Sequence, residues 1–189
     1  NYNEENIIMT VGAAAGLNII LKAILNPGDE VIVFAPFFGE YASYVANYDG
    51  VLVTVSPDIQ TFQPNMDELE QKITKNTKAL IINTPNNPTG VIYSEETLKT
   101  LSEILTKKEK EIGHPIYLIS DEPYRELFYG DFKIPFVPDF YPNTIIAYSF
   151  SKSLSLPGER IGYVTIHSEA DGFEELVSAM TVANRTSGF

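Results

Sequence analysis

Apolar residues in this chain fall into short solid blocks, and between the blocks they recur at helical spacing. Six β-branched and aliphatic blocks lie at residues 31–35, 51–55, 79–83, 116–120, 144–149 and 161–166, each bounded by turn-forming residues. Solid runs of this length suit strands buried on both faces. Ile7-Ile8-Met9 is strand-like too. Residues 13–25 are rich in Ala and Leu and stop at Asn26-Pro27-Gly28, a strong helix breaker. Residues 37–47 form a shorter helix candidate. Residues 66–73 put Met66, Leu69 and Ile73 on one helical face. Residues 94–112 open with Ser94 as N-cap and acidic Glu95 and Glu96 in the first turn, and they end at Gly113. Residues 169–183 are the last helix candidate. Strands alternating with helices predict parallel strands joined by right-handed crossovers. The expected fold is α/β: a three-layer α/β/α sandwich around a mostly parallel sheet. No repeat, low-complexity segment or internal linker interrupts it.

Ligands in such sheets bind beyond the carboxyl ends of the strands. Three polar clusters fall there: Asn83-Thr84-Pro85-Asn86-Asn87, Asp121-Glu122-Pro123-Tyr124 and Ser149-Phe150-Ser151-Lys152. Composition then narrows the chemistry. Lys and Arg number 13 against 25 Asp and Glu, a formal net charge of -12. That balance argues against nucleic acid and anionic membranes, whose phosphates are bound by Lys and Arg. The chain has no Cys and only His114 and His167, so disulfides, thiolate zinc sites and multi-His metal sites are not expected. No apolar run approaches the ~20 residues of a membrane span. A cytoplasmic protein is expected. The chain begins at Asn1 rather than Met and closes on Asn-Arg-Thr-Ser-Gly-Phe, so a part of a longer protein is expected.

Candidate chemistry rests on few side chains. Lys152, taken alone, reads as a solvated surface lysine; an environment favouring its neutral form would let it form a Schiff base. Arg160 reads either as a surface partner of Glu159 or as an anion-binding guanidinium, with Ser149 and Ser151 as hydroxyl donors. Gly12-Ala13-Ala14-Ala15-Gly16 is either a tightly packed helix start or a phosphate site at a helix N-terminus. It matches neither a Walker A loop nor the GxGxxG fingerprint. Asn87 lies in a Pro- and Asn-rich turn and offers an amide donor. Asp121 ends a strand, where a buried carboxylate needs a cationic partner such as a protonated pyridine nitrogen. Phe37, Phe38 and Tyr41 are either core or a platform for a flat ligand.

In their order along the chain these motifs resemble the fold-type I pyridoxal-phosphate enzymes, in particular the class I/II aminotransferases of the aspartate aminotransferase type. The resemblance rests on Gly12-Ala13-Ala14, Pro36-Phe37-Phe38-Gly39-Glu40-Tyr41, Asn86-Asn87-Pro88-Thr89-Gly90, Asp121-Glu122-Pro123-Tyr124, and Ser149-Phe150-Ser151-Lys152 followed by Gly158-Glu159-Arg160. It implies that residues 1–189 are the large cofactor-binding domain, without the family's N-terminal segment and C-terminal small domain. It implies pyridoxal 5'-phosphate as cofactor and Lys152 as the Schiff-base lysine and proton carrier. Asp121 would keep the pyridine nitrogen protonated. Asn87 and Tyr124 would hydrogen-bond the phenolic oxygen, and Phe38 would stack on the ring. Gly12, Ala13, Ala14, Ser149, Ser151 and Arg160 would hold the phosphate.

The resemblance further implies transfer of an amino group between an amino acid and a 2-oxo acid by a homodimer. Lyases and synthases share the scaffold and its lysine, and some transcription regulators carry it without catalysis, so both stand as alternatives. Two positions depart from the family pattern: Ala14 replaces a frequent hydroxyl, and Phe38 replaces a Trp or Tyr. The family's carboxylate-binding Arg belongs to the small domain, so substrate-binding residues and turnover are not expected from these residues alone.

Overall fold

The computed structural model describes residues 2–131 and 133–188. Its elements run β1 (Ile7–Thr10), α1 (Gly12–Ile24), β2 (Glu30–Phe34), α2 (Glu40–Ala46), β3 (Val51–Val55), α3 (Met66–Lys72), β4 (Thr77–Asn83), α4 (Glu95–Ile112), β5 (Tyr117–Asp121), β6 (Thr144–Ser149), α5 (Phe150–Ser153), β7 (Gly162–Ile166) and α6 (Phe173–Thr186). The solid apolar blocks are strands because both faces of the sheet are covered. β5 and β6 are buried at every residue and β4 at nearly every one. At the edges the cover thins: β1 alternates, with Ile8 and Thr10 inside and Ile7 and Met9 exposed.

Among the described residues, seven strands form one sheet in the order β1-β7-β6-β5-β4-β2-β3. Neighbours from β3 through β6 pair in parallel. β7 runs antiparallel to both β6 and β1. A parallel return needs a crossover of a dozen or more residues, usually a helix. The twelve residues between β6 and β7 hold only the four-residue α5, too short a helix to carry the chain back along the sheet, and the chain turns back antiparallel. One core packs α1, α2 and α6 on one face of the sheet around Leu17, Ile20, Tyr41 and Met180. The other packs α3 and α4 on the opposite face around Leu69, Leu98, Leu101 and Leu105. The result is the expected three-layer sandwich.

Local signals place most helix ends. Ser94 Oγ accepts the amide of Thr97 at 3.0 Å and caps α4, and Gly113 ends it in the left-handed region at φ 83°. Asn65 caps α3 by accepting the amide of Glu68 at 3.1 Å. Three expectations need correction. The helix expected at 37–47 begins only at Glu40, so Phe37 and Phe38 lie in the preceding turn. The helix expected at 169–183 starts at Phe173 because residues 168–172 form a turn that ends on Gly172 in the left-handed region. Ile161 stays outside β7, its carbonyl accepting the amide of Phe150 at 3.1 Å.

One close approach ties the layers together. A side chain on Gly162 would run into the Tyr148 carbonyl and would stand 2.8 Å from Gly12 Cα. Glycine lets β7 pass against the start of α1, which brings Gly12 to the end of β6.

Candidate functional site

The carboxyl ends of β4, β5 and β6 lie side by side, with Asn83 in register with Asp121 and Asp121 with Ala147. The start of α1, the turn before α2 and the segment 149–160 close around them into a cavity of about 270 Å³. Its walls contain Ala13, Ala14, Phe38, Asn87, Asp121, Tyr124, Ser149, Ser151, Lys152 and Arg160. Five separate segments thus bring together side chains up to 147 positions apart, from Ala13 to Arg160.

At one end the groups suit an anion. Ser149 Oγ caps α5 by accepting the Ser151 amide at 3.2 Å and donates to Ser151 Oγ at 2.8 Å. Arg160 donates to the Pro157 carbonyl at 2.8 Å and lies 3.5 Å from Ser151 Oγ. Among the described residues it makes no ion pair with Glu159. Its backbone sits at φ 52°, a region L-residues seldom adopt and which costs roughly 1–3 kcal/mol. Gly12, although not a wall of the cavity, is part of this end: a Cβ there would stand 3.2 Å from the Arg160 guanidinium and 3.7 Å from Ser149 Oγ. At φ 80° Gly12 leaves that cradle open.

At the other end lies the carboxylate. Asp121 is buried, and its Oδ2 accepts the Tyr41 hydroxyl at 2.5 Å. Its Oδ1 is buried without a hydrogen-bond partner. Burial pushes this carboxyl up to about 7, nearby Glu122 adds to the rise, and the Tyr41 hydrogen bond opposes it. Glu122 is itself buried, but it turns away from the cavity, accepting Ser120 Oγ at 2.8 Å and Arg125 at 3.1 Å.

Along the side, Asn87 Nδ2 donates to the Tyr124 hydroxyl at 3.3 Å. Asn83 sets this pair: its Oδ1 accepts the Asn87 amide at 2.6 Å while its Nδ2 donates to the Asp121 carbonyl at 2.7 Å. Burial raises the Tyr124 phenol above its ordinary range, Asn87 opposing and Asp121 adding to the rise. It is therefore a neutral donor at physiological pH. Phe38 borders the cavity and meets Tyr41 edge to face at 5.6 Å between centroids. Lys152 is exposed on the single turn of α5 and lines the same space.

Sequence reasoning missed several contributors. Leu17, Tyr44, Asn83, Pro123 and Pro157 also line the cavity, and Tyr41 holds Asp121 from beneath. Asn83 stood in a polar cluster at a strand end, the one signal that could have singled it out. Tyr44 and Leu17 carried none, being ordinary amphipathic helix residues in sequence. A larger space of about 840 Å³ adjoins the cavity, shares Asn87 and Tyr124 with it, and is walled by Tyr93, Leu127, Phe128 and Tyr129.

The comparisons with known proteins agree with this geometry. A probable aspartate/prephenate aminotransferase of Aquifex aeolicus is 35% identical over 98% of this chain and 47% of its own length. The crystal structure of an amino transferase from Eubacterium rectale superposes with a TM-score of 0.98 at 49% identity, covering all of this chain and 48% of that one. Thermus thermophilus aspartate aminotransferase with maleate superposes with a TM-score of 0.86 at 32% identity, over 98% of this chain and 46% of that one. The chain spans about half the length of the relatives it matches. The family model for aminotransferase class I and II matches residues 1–188, so this mostly parallel sheet with its cavity at the strand ends belongs to that family.

Proposed function

We propose that residues 1–189 are the large cofactor-binding domain of a pyridoxal-phosphate-dependent aminotransferase, which moves an amino group between an amino acid and a 2-oxo acid. The reading includes a homodimer working in the cytoplasm in amino acid metabolism. The observation that carries it is the buried, unpartnered Oδ1 of Asp121, set across one cavity from an anion cradle. A buried carboxylate oxygen left without a partner is costly. A ring N–H satisfies it. The cradle of Gly12, Ser149 and Arg160 suits a phosphate dianion, for which a Cβ at Gly12 would leave less room. Both features fit the one ligand, and Lys152 lines the same space.

Bound there, pyridoxal phosphate supplies an electron sink for the carbanion left when a substrate C–H loses its proton. Holding the cofactor and handling its protons fall to groups of this chain. Arg160, Ser149 and Ser151, with the backbone at Ala13 and Ala14, hold the phosphate and so fix the register of the ring. Asp121 Oδ1 holds the proton on the ring nitrogen. The Asn87 amide and the Tyr124 hydroxyl donate toward the phenolic oxygen, and Phe38 closes one face against water. Lys152 Nζ would be the covalent attachment point for the cofactor, and as a free amine it would be the group that takes up and returns the substrate proton.

The test is chemical. The full-length protein is saturated with pyridoxal phosphate, reduced with borohydride and digested. We expect the label on the peptide carrying Lys152, and Lys152→Ala to lose both label and visible absorbance while its circular dichroism is retained. Label on another lysine, with absorbance intact in Lys152→Ala, overturns the assignment.

A further inference from the structure

The two oxygens of Asp121 live in different surroundings, and one residue makes the difference. Tyr41 stands on α2, is 1% exposed and belongs to the core beneath α1. Phe37 stacks parallel to its ring at 6.5 Å, and Phe38 meets it edge-on. Held on both sides, the ring has one place for its hydroxyl, on Asp121 Oδ2 at 2.5 Å. Burial, and then the Asp121 charge, hold the phenol well above its ordinary range, so the oxygen keeps its proton and donates. The other charged groups near Asp121 do not replace this bond. Glu122 is paired with Arg125, Tyr124 is bonded to Asn87, and Lys152 and Arg160 line the cavity without an ion pair to Asp121 among the described residues.

We propose that Tyr41 is a positioning residue that pins Oδ2 and thereby presents Oδ1, as the ionised oxygen, to the pyridine nitrogen of the cofactor. The inference rests on the pyridoxal-phosphate reading above. Its physical content is a proton position. One proton is shared between the ring nitrogen and Oδ1. A donor on Oδ2 lowers the proton affinity of the carboxylate, so the proton stays on nitrogen, where it makes the ring an electron sink. Without the donor the carboxyl gains proton affinity and freedom to rotate. The proton then moves to oxygen, and the nitrogen becomes neutral. Phe38 is held against the same tyrosine, so ring platform and nitrogen partner are fixed by one side chain.

The experiment uses the full-length protein, wild type and Tyr41→Phe. Each is loaded with pyridoxal phosphate carrying ¹⁵N in the ring, and the nitrogen shift is read as pyridinium or pyridine. Each apoprotein is also titrated with pyridoxal phosphate and with its 1-deaza analogue, which has C–H in place of the ring nitrogen. We expect a pyridinium shift and a clear preference for the nitrogen ring in wild type. In Tyr41→Phe the shift moves toward pyridine, and the preference falls about tenfold or more, the worth of one hydrogen bond to an ionised group. Tyr41→Phe keeps the buried ring and loses one oxygen, and a thermal melt checks its fold. A second measurement needs no variant: ¹³Cζ-tyrosine placed at position 41 alone changes its resonance between the pyridoxal phosphate and 1-deaza complexes. An unchanged ¹⁵N shift and preference in folded Tyr41→Phe, or an identical ¹³Cζ resonance in the two complexes, overturns the role of Tyr41. A wild type that shows no preference for the nitrogen ring overturns the cofactor reading itself.

Discussion

Asp121 carries a charge problem that the protein without ligand bears on its own. With its folded-state carboxyl near 7 and an ordinary Asp value of about 3.9 when unfolded, it binds a proton more tightly folded than unfolded. Between those values the unfolded chain has released this proton and the folded chain has not. Stability from this group is therefore greatest below pH ~4 and falls as pH rises toward ~7. Asp121→Asn removes the titration, and its amide can still accept the Tyr41 hydroxyl. We expect the ligand-free variant to gain on wild type as pH rises from 5 to 8, by as much as a few kcal/mol in order of magnitude. Urea unfolding at several pH values measures it, and parallel curves for the two proteins would refute it. Saturation with cofactor should shrink the difference, because a ring cation favours the ionised carboxylate in wild type.

At the scale of elements, the site depends on how closely β7 passes α1. Gly162 faces the Tyr148 carbonyl across the antiparallel pair and the backbone of Gly12 at the start of α1. Gly162→Ala pushes a methyl against backbone rather than against a side chain that could rotate away. Overpacking costs typically 1–3 kcal/mol, and a backbone obstacle puts this substitution at the upper end. The displacement falls on Gly12, which borders Arg160 and Ser149. We expect a lower melting temperature together with weaker phosphate binding, seen as a raised dissociation constant for pyridoxal phosphate. A variant that melts lower yet binds the cofactor as tightly as wild type would show that β7 does not set the cradle.

For the molecule as a whole, the chain spans about half the length of the relatives it matches. The proposed cofactor contacts, from Gly12 to Arg160, lie within these residues. On the function proposed above, substrate orientation would call for a bidentate carboxylate clamp, for which the cavity shows no second arginine beside Arg160 among the described residues. Around the site Leu154 is 59% exposed, with Leu156 and Ile161 also open, and Met9 and Val182 form further exposed apolar positions. Apolar surface of this kind favours association. We expect the isolated 189-residue chain to bind pyridoxal phosphate, to self-associate, and to leave mixtures of amino acids and 2-oxo acids unchanged. Spectral titration, sedimentation and a substrate panel test the three points, and turnover at the rate of the full-length protein would place the substrate-binding residues within this chain.

The order of elements and the residue types at the strand ends were legible in the sequence alone, because both follow from local chemistry. Solid apolar runs make buried strands, Ser94 and Gly113 mark helix ends, and polar clusters gather where strands stop. The residues named for the site, Gly12 apart, line one cavity, and Gly12 borders its anion end. What the sequence could not show depends on contacts between distant segments. The reversal of β7 needed the shortness of α5, a turn that no period announces. Tyr41 read as core or platform, and only the tertiary fold put its hydroxyl on Asp121, 80 positions away. The unpartnered Oδ1 is also a tertiary fact: a carboxylate is costly to bury, and only the folded chain decides which of its oxygens is satisfied and which is left for a ligand.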